Sequence, residues 1–162
     1  MPKVTSLGHV GVYTRDIDRS MAFYRDIIGL KVSDRSPTGA VFMTAQDRLA
    51  EHHELLLVPG RDDDGKANVL QQISFRCASV ADVKEFYRVF VENKVPINRC
   101  VSHGNTVSVY AQDPDGNSVE VYWPNGIDVP QPFGKPMDLS KSEAEIMAQL
   151  DQILAEWRAS RA

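Results

Sequence analysis

The first part of the chain alternates short extended segments with one helical segment. Apolar residues separated by polar or small ones predict a strand over 4–12. Apolar residues then recur at helical spacing, which predicts a helix that is capped by Asp16 or Asp18 and ended by Gly29. Three short strands are predicted next, at 31–32, 40–44 and 54–58. This part of the chain therefore predicts the order strand, helix and three strands.

The same order of elements is predicted a second time, after an acidic, turn-rich connector at 59–66. The tripeptide Phe23-Tyr24-Arg25 recurs as Phe86-Tyr87-Arg88, a shift of 63 positions, and the same shift carries His9 onto Gln72. A strand from 69, a helix from 81 and three final strands follow the connector, the strands being at 94–97, 107–111 and 119–123. The two halves read as copies of one βαβββ module.

These patterns predict an α+β domain over residues 1–126, made of modules 4–58 and 69–123, and a C-terminal segment over 127–162. Four prolines after Trp123 predict an extended arm at the start of that segment. Ser140 and Glu143 have the spacing of a capping box, and apolar residues at helical spacing follow them. This apolar stripe either packs on its own domain or docks on a second subunit. The second alternative predicts a homodimer or higher homo-oligomer.

The charge, the apolar runs and the cysteine spacing of the chain argue against several classes of function. The 162 residues carry a formal net charge of -4 and no basic block, which argues against a nucleic-acid surface. The apolar runs are too short to span a membrane and the N-terminus lacks a signal-peptide core, so we expect a cytoplasmic protein. Cys77 and Cys100 lack a close metal-binding spacing, which favours reduced core thiols.

Glu120 stands alone inside the last apolar strand, where an ionised carboxylate is costly unless it is paired, hydrogen-bonded or bound to a metal. His9 and Gln72 lie on the predicted first strands of the two modules, and His53 and Glu54 lie at the last strand of the first module. Since strand side chains alternate between faces, these strands could direct one side chain each into a shared cleft. The alternatives are a core histidine at 9 and a water-facing rim position for Glu120.

Five segments carry a family signal, namely Leu7-Gly-His-Val-Gly-Val, Glu51-His-His-Glu-Leu-Leu-Leu, Leu70-Gln-Gln-Ile-Ser-Phe, Ser102-His-Gly-Asn and Val109–Tyr122, and the last two are the most specific. Together they resemble the vicinal oxygen chelate superfamily, and within it the extradiol dioxygenases that cleave catechol or dihydroxybiphenyl rings. The resemblance covers Leu7–Gly126. It implies that the paired modules form a curved mixed sheet around a metal cleft. The fold also hosts isomerases, thiol transferases and antibiotic-sequestering proteins, so the fold alone does not define the activity.

By motif position, the resemblance implies a divalent metal held by His9, Gln72 and Glu120. Extradiol enzymes of this type use two histidines and one glutamate for Fe(II) or Mn(II), so the glutamine at position 72 departs from their pattern. An amide oxygen is a harder and weaker donor than imidazole, which lowers the affinity for iron and favours manganese, zinc or nickel. Glyoxalase-like members do combine glutamine with histidine and glutamate at a metal.

The remaining matches imply catalytic roles for His53, His103 and Tyr110. His53 matches an acid/base histidine, while His103 and Tyr110 match residues that hydrogen-bond the diolate or the intermediate. Ring cleavage requires proton transfers near neutral pH, for which an imidazole is suited. The expected activity is therefore an extradiol-type dioxygenase that takes a small aromatic vicinal diol and dioxygen, in the catabolism of aromatic compounds.

Two other functions remain open. A glyoxalase-type isomerase or lyase, with Zn(II) or Ni(II), would use Glu54 as an additional ligand beside His9, Gln72 and Glu120. Alternation requires His53 and Glu54 to face opposite ways, and the motif match favours His53 in the cleft. The third function is a non-catalytic binder that sequesters a small molecule or drug, in which the polar residues only shape a pocket.

Overall fold

The computed structural model describes residues 7–47, 52–62 and 70–161. The chain divides into two compact units, Met1–Ala67 and Asn68–Ala162. Residues 4–6 of the first predicted strand, Glu51 of the second motif and the predicted start of the second module at 69 lie outside the described residues. Each unit is built on its own mixed sheet.

The first unit has the order strand, helix and three strands. The helix α1 (Ile17–Ala22) continues as a π-helical turn over Phe23–Ile27. Of the two predicted caps, Asp16 is the one in place, since its Oδ1 accepts a hydrogen bond from Arg19 N at 3.0 Å. The strands are β1 (Val10–Thr14), β2 (Lys31–Arg35), β3 (Val41–Thr44) and β4 (Leu55–Pro59).

The sheet of the first unit has the order β1-β4-β3-β2, with β1 parallel to β4 and the other pairs antiparallel. Its strands bury alternate residues, among them Val12, Val41 and Leu57, because one face packs against α1 and forms the core. The residues between these positions point to the other face and are more exposed.

The second unit repeats this order with β5 (Ile73–Arg76), α2 (Val80–Glu92), β6 (Ile97–Ser102), β7 (Thr106–Gln112) and β8 (Ser118–Pro124). The first strands start 63 positions apart, at Val10 and Ile73, and so do the helices, at Ile17 and Val80. A capping box formed by Ser79 and Asp82 starts α2. The sequence prediction of an α+β fold with two βαβββ modules is confirmed.

The C-terminal segment adds a strand and a helix to the second unit. Residues 127–136, here called the arm, end in the two-residue strand β9 (Lys135–Pro136), which pairs with β6 and extends the sheet to the order β5-β8-β7-β6-β9. The final helix α3 (Glu143–Ala159) packs on α2. The sequence pattern predicts the extended arm and the helix, but it does not predict β9.

The start of α3 corrects one sequence prediction. Ser142 and Glu145 form the capping box, and not Ser140 and Glu143. Ser140 instead donates its hydroxyl to Asp138 Oδ1 at 2.6 Å, so it closes a turn before the helix. Both serines have glutamate three residues later, so the local pattern alone could not separate them.

The apolar stripe of α3 is buried within its own unit, at Ile146, Leu150, Ile153 and Leu154. This is the first of the two alternatives given by the sequence, and homo-oligomer formation through this helix stays a prediction. In the described part of the chain, none of the helices has the length and apolar character needed to cross a membrane.

Candidate functional site

The ladder pairings of the second unit align four polar residues across neighbouring strands. Ser74 on β5 is paired with Glu120 on β8, Glu120 with Tyr110 on β7, and Tyr110 with Arg99 on β6. Paired residues in a sheet point to the same face, so these four side chains form a row. Val119 and Val121, on either side of Glu120, are fully buried on the opposite face.

The carboxylate of Glu120 is buried, with 7% of the residue exposed. Its Oε2 accepts hydrogen bonds from Ser74 Oγ at 2.6 Å and from Gln72 Nε2 at 3.1 Å, and Tyr110 is its ladder neighbour on β7. Among the residues that the structure describes, the partners of Glu120 are thus neutral groups. A buried carboxylate held by neutral donors retains its negative charge toward a cation, which fits a metal ligand.

Gln72 lies beside Glu120 although the two residues are far apart in sequence. Its Nε2 donates to Ser74 Oγ at 2.8 Å as well as to Glu120. The amide oxygen is a neutral donor to metals, and half a turn of the amide group would exchange the positions of its nitrogen and oxygen. The pair therefore combines an oxygen donor that carries a charge with one that does not, a donor set suited to a hard divalent cation.

Tyr110 links this pair to His103. Its hydroxyl lies 3.1 Å from His103 Nε2, and the guanidinium carbon of Arg99 lies 4.2 Å from the centre of its ring. Burial raises the pKa of Tyr110 to about 12, the neighbouring negative charge of Glu120 adds to this, and Arg99 opposes it. Tyr110 thus keeps its proton at neutral pH and acts as a neutral hydrogen-bonding group.

His103 completes a continuous network in the second unit. Its Nδ1 lies 2.7 Å from the carbonyl oxygen of Phe133 in the arm. The structure therefore brings together four of the six predicted site residues, Gln72, His103, Tyr110 and Glu120. A hydrogen bond joins Gln72 to Glu120 and another joins Tyr110 to His103, while Glu120 and Tyr110 are neighbours in the β7–β8 ladder.

The other two predicted site residues, His9 and His53, meet in the first unit. Their ring centres are 4.2 Å apart, and Phe42 contacts the His53 ring edge-on with a centre separation of 5.0 Å. His52 Nδ1 lies 3.0 Å from His53 Nδ1, and His52 Nε2 lies 3.6 Å from Asp34 Oδ2. His53 thus lies against His9, and its place in a metal cleft stays a prediction.

Glu54 is engaged in a local turn instead. Its Oε2 accepts from Thr44 Oγ1 at 3.1 Å and from Ala45 N at 2.8 Å, and its Oε1 accepts from Gln46 Nε2 at 3.2 Å. Burial raises the pKa of the Glu54 carboxyl, but these hydrogen bonds together bring it below its ordinary value. Both oxygens of the carboxylate that the isomerase hypothesis requires are therefore occupied within the first unit.

The row also contains two residues that the sequence analysis missed. Ser74 follows Gln72 by two positions, so alternation along β5 could have indicated it. Arg99 carried no such signal, because an irregularity in the β6–β7 ladder between Ile97 and Arg99 sets its register. Cys77 and Cys100 are free thiols, and burial raises the pKa of each to about 11, so neither is reactive at neutral pH.

The described ranges contain no cluster of three or more His, Cys, Asp or Glu side chains arranged to hold a metal. The predicted ligand set includes only two residues of those types, His9 and Glu120, with Gln72 as the third. The assignment of these three ligands therefore stays a prediction.

Known proteins are similar to this chain in sequence and in fold. The chain is 25% identical over 147 residues to 1,2-dihydroxynaphthalene dioxygenase of Pseudomonas sp. (strain C18), a match that covers 83% of this chain and 44% of that protein. It is 28% identical over 120 residues to biphenyl-2,3-diol 1,2-dioxygenase 3 of Rhodococcus globerulus, covering 71% and 61%. The chain thus spans less than two thirds of the length of these relatives.

Among solved structures, lactoylglutathione lyase from Agrobacterium tumefaciens superposes with a TM-score of 0.59 and 26% identity, over 75% of this chain and 96% of that one. A sequence model of the Glyoxalase/Bleomycin resistance protein/Dioxygenase superfamily matches residues 6–121. That range holds the six predicted site residues and both βαβββ modules except for the last three residues of β8, 122–124. The chain therefore belongs to the glyoxalase/bleomycin resistance protein/dioxygenase superfamily, the vicinal oxygen chelate superfamily.

Proposed function

We propose that this chain is a metal-dependent, extradiol-type dioxygenase-like enzyme that acts on a catechol or a related aromatic vicinal diol. The observation that carries the proposal is the network of Glu120, Tyr110 and His103, in which a buried carboxylate lies beside two hydrogen-bonding groups. The similarity to two dioxygenases of aromatic diols supports the same chemistry.

The ligands in this proposal are Glu120, Gln72 and His9. Glu120 supplies the charge that neutralises part of a divalent cation, and the other two are neutral donors. When bound, Fe(II) or Mn(II) would act as a Lewis acid toward the diol oxygens and exchange electrons with dioxygen. The amide at position 72 favours Mn(II) over Fe(II) in comparison with a second imidazole.

The other site residues bind the diol and move protons. Tyr110 keeps its proton because its pKa is raised to about 12, so it donates a hydrogen bond to a diolate oxygen instead of competing with it for protons. His103 forms its hydrogen bond on the site side through Nε2, the ring nitrogen that lies beside the Tyr110 hydroxyl. His53, which lies against His9, takes the proton that a diol hydroxyl loses and returns it later.

The glyoxalase-type isomerase or lyase is the second candidate, because the similarity to a lactoylglutathione lyase and the glutamine at position 72 favour it. It would use Zn(II) or Ni(II) with Glu54 as a ligand. The three hydrogen bonds that hold both Glu54 oxygens weigh against it. The strand pairings add a second argument against the isomerase. Leu56, and not Glu54, occupies the position of the first module that corresponds to Glu120, because Leu56 is paired with Gly11 as Glu120 is paired with Ser74.

The experiment is a substrate and metal panel on the full chain. Protein is purified without oxygen, loaded separately with Fe(II), Mn(II), Zn(II) or Ni(II), and mixed with catechols in air. We expect a yellow ring-fission product with Fe(II) or Mn(II). Loss of a hemithioacetal signal with Zn(II) or Ni(II), without any yellow product, would replace the proposal by the isomerase.

A third outcome would indicate a non-catalytic binder. If metal analysis finds no bound ion and His9→Ala leaves the binding of an aromatic ligand unchanged, the polar residues only shape a pocket.

The partners of the proposed enzyme are an aromatic diol and dioxygen, and we propose a cytoplasmic homo-oligomer as its form in the cell.

A further inference from the structure

The arm lies outside the part of the chain that matches the superfamily, since that match ends at residue 121. It nevertheless contacts a predicted site residue directly. Arm residues Lys135 and Pro136 pair with the end of β6 at Ser102 and Val101, immediately before His103. The arm therefore covers the edge of the sheet at β6 and also contacts the His103 side chain.

Gln131 ties the arm to the backbone of His103. Its Nε2 donates to the carbonyl oxygen of His103 at 2.9 Å and to that of Val129 at 3.0 Å, and its Oε1 accepts from Phe133 N at 3.1 Å. One side chain therefore fixes the distance between the loop that carries His103 and the arm residue that contacts the His103 ring. Such a bridge restricts both backbone segments at once.

The contact between arm and loop is also tight. Gly104 has φ +78°, and a Cβ at this position would lie 2.8 Å from Val129 Cγ1. Asn125 Nδ2 donates to the Gly104 carbonyl at 2.6 Å on the other side of the loop. The backbone on both sides of the His103 side chain is therefore held in place.

The carbonyl of Phe133 determines which nitrogen of His103 carries the proton. A carbonyl oxygen can only accept a hydrogen bond, so the Nδ1 that lies 2.7 Å from it must carry hydrogen. In the neutral imidazole, Nε2 is then an acceptor, and the Tyr110 hydroxyl at 3.1 Å donates to it. Without the Phe133 carbonyl, neither tautomer would be enforced.

We infer that the arm is a positioning element of the site, which fixes His103 as the Nδ1–H tautomer and presents Nε2 to Tyr110 as an acceptor. The residue that holds this arrangement is Gln131, and the atom that selects the tautomer is the Phe133 carbonyl oxygen. The effect on turnover rests on the proposed function. The tautomer itself does not, because it follows from contacts within the second unit.

The test uses Gln131→Ala and Gln131→Glu in the full chain. The glutamate keeps the size of the side chain and the acceptor for Phe133 N, but it removes the donor to His103, so it tests the bridge even if the alanine variant folds poorly. Gln149→Ala is the matched control. Gln149 also bridges backbone groups, accepting from Asp138 N at 3.1 Å and donating to the Pro136 carbonyl at 3.2 Å, away from His103.

Two measurements are made on each protein. The ¹⁵N NMR shifts of His103, with Zn(II) as a diamagnetic ion, report the tautomer, and steady-state kinetics with a catechol report kcat and KM separately. We expect Nδ1–H in the wild type and in Gln149→Ala, and a mixture of tautomers in both Gln131 variants. We also expect kcat to fall about tenfold in the Gln131 variants while KM changes less.

A wild-type His103 protonated on Nε2 would overturn the inference, as would Gln131 variants whose tautomer and kcat match those of Gln149→Ala. If the wild type turns over no catechol with any metal, the proposed function has failed. The NMR comparison still decides on the arm in that case, so the two failures are distinguishable.

Discussion

The two modules share one backbone plan and differ in the residues placed on it. In the second module the parallel ladder pairs Ser74 with Glu120, and in the first the corresponding pair is Gly11 and Leu56. The first module instead presents the contacting rings of His9 and His53. The two modules therefore share the pattern of buried apolar positions that forms each sheet, while the residues on the other face of each sheet differ.

This division assigns different chemistry to the two modules. The second contains the buried carboxylate and the hydrogen-bonded pair Tyr110 and His103, and it also carries the arm. The first contains imidazoles next to Phe42. The second module therefore carries the charged and hydrogen-bonding residues of the proposed function, and the first carries its two imidazoles, His9 and His53.

The largest expected effect comes from removing the carboxylate charge that the second module has at this pair and the first module lacks. Glu120→Gln removes the charge but keeps the size, so we expect bound metal to fall to background and turnover to disappear. Metal analysis of the purified variant checks this. Leu56→Gln, at the corresponding ladder position of the first module, is the control and should keep its metal. Equal metal loss in both variants would contradict the assignment of Glu120.

The next effect separates His53 from its neighbour Glu54. His53→Ala should keep the metal and slow turnover by about 10²- to 10⁴-fold, the range for loss of a general acid or base. Glu54→Gln should change turnover little, because its carboxylate is bonded within the first unit. Metal content and kcat are measured for both. Loss of metal in Glu54→Gln together with normal metal in His53→Ala would favour the isomerase.

A smaller effect is expected on alkaline stability. The pKa of Tyr110 is raised to about 12 in the folded protein, above the value of about 10 expected in the unfolded chain. Between these values the unfolded state loses its proton first, so this residue's contribution is intact below pH 10 and is lost as pH rises toward 12. The loss amounts to about 3 kcal/mol of unfolding free energy once the pH exceeds both values.

Urea unfolding of the wild type and of Tyr110→Phe across this pH range measures that loss. Part of the alkaline decline should be absent in the variant. Cys77 and Cys100, whose pKa values are also raised, contribute equally to both proteins and cancel. Parallel curves for the two proteins would show that Tyr110 titrates as an exposed tyrosine.

The smallest expected effect concerns the helix that only the second unit possesses. Ser142→Ala removes the N-cap of α3 and should lower the unfolding free energy by about 1 kcal/mol. Ser140→Ala, which removes one turn hydrogen bond, should cost less. Thermal unfolding of the two variants compares their stabilities directly. A larger loss of stability for Ser140→Ala would identify Ser140 as the N-cap, as the sequence predicted.

The sequence by itself determined the order of the elements and the duplication, because alternation, helical spacing and turn residues are local properties that survive in each copy. It also determined which residue types were available for chemistry, His9, His53, Gln72, His103, Tyr110 and Glu120. Motif position gave these residues their candidate roles before any contact was known.

Only the tertiary structure decided which of these residues meet. The bond from Ala45 to Glu54, the ladder that puts Arg99 beside Tyr110, and the arm carbonyl at His103 join residues that lie 9 to 30 positions apart. The choice between Ser140 and Ser142 as the cap also depended on a turn formed before the helix. Strand register and side-chain hydrogen bonds are set by partners elsewhere in the chain, and a local pattern contains no information about those partners.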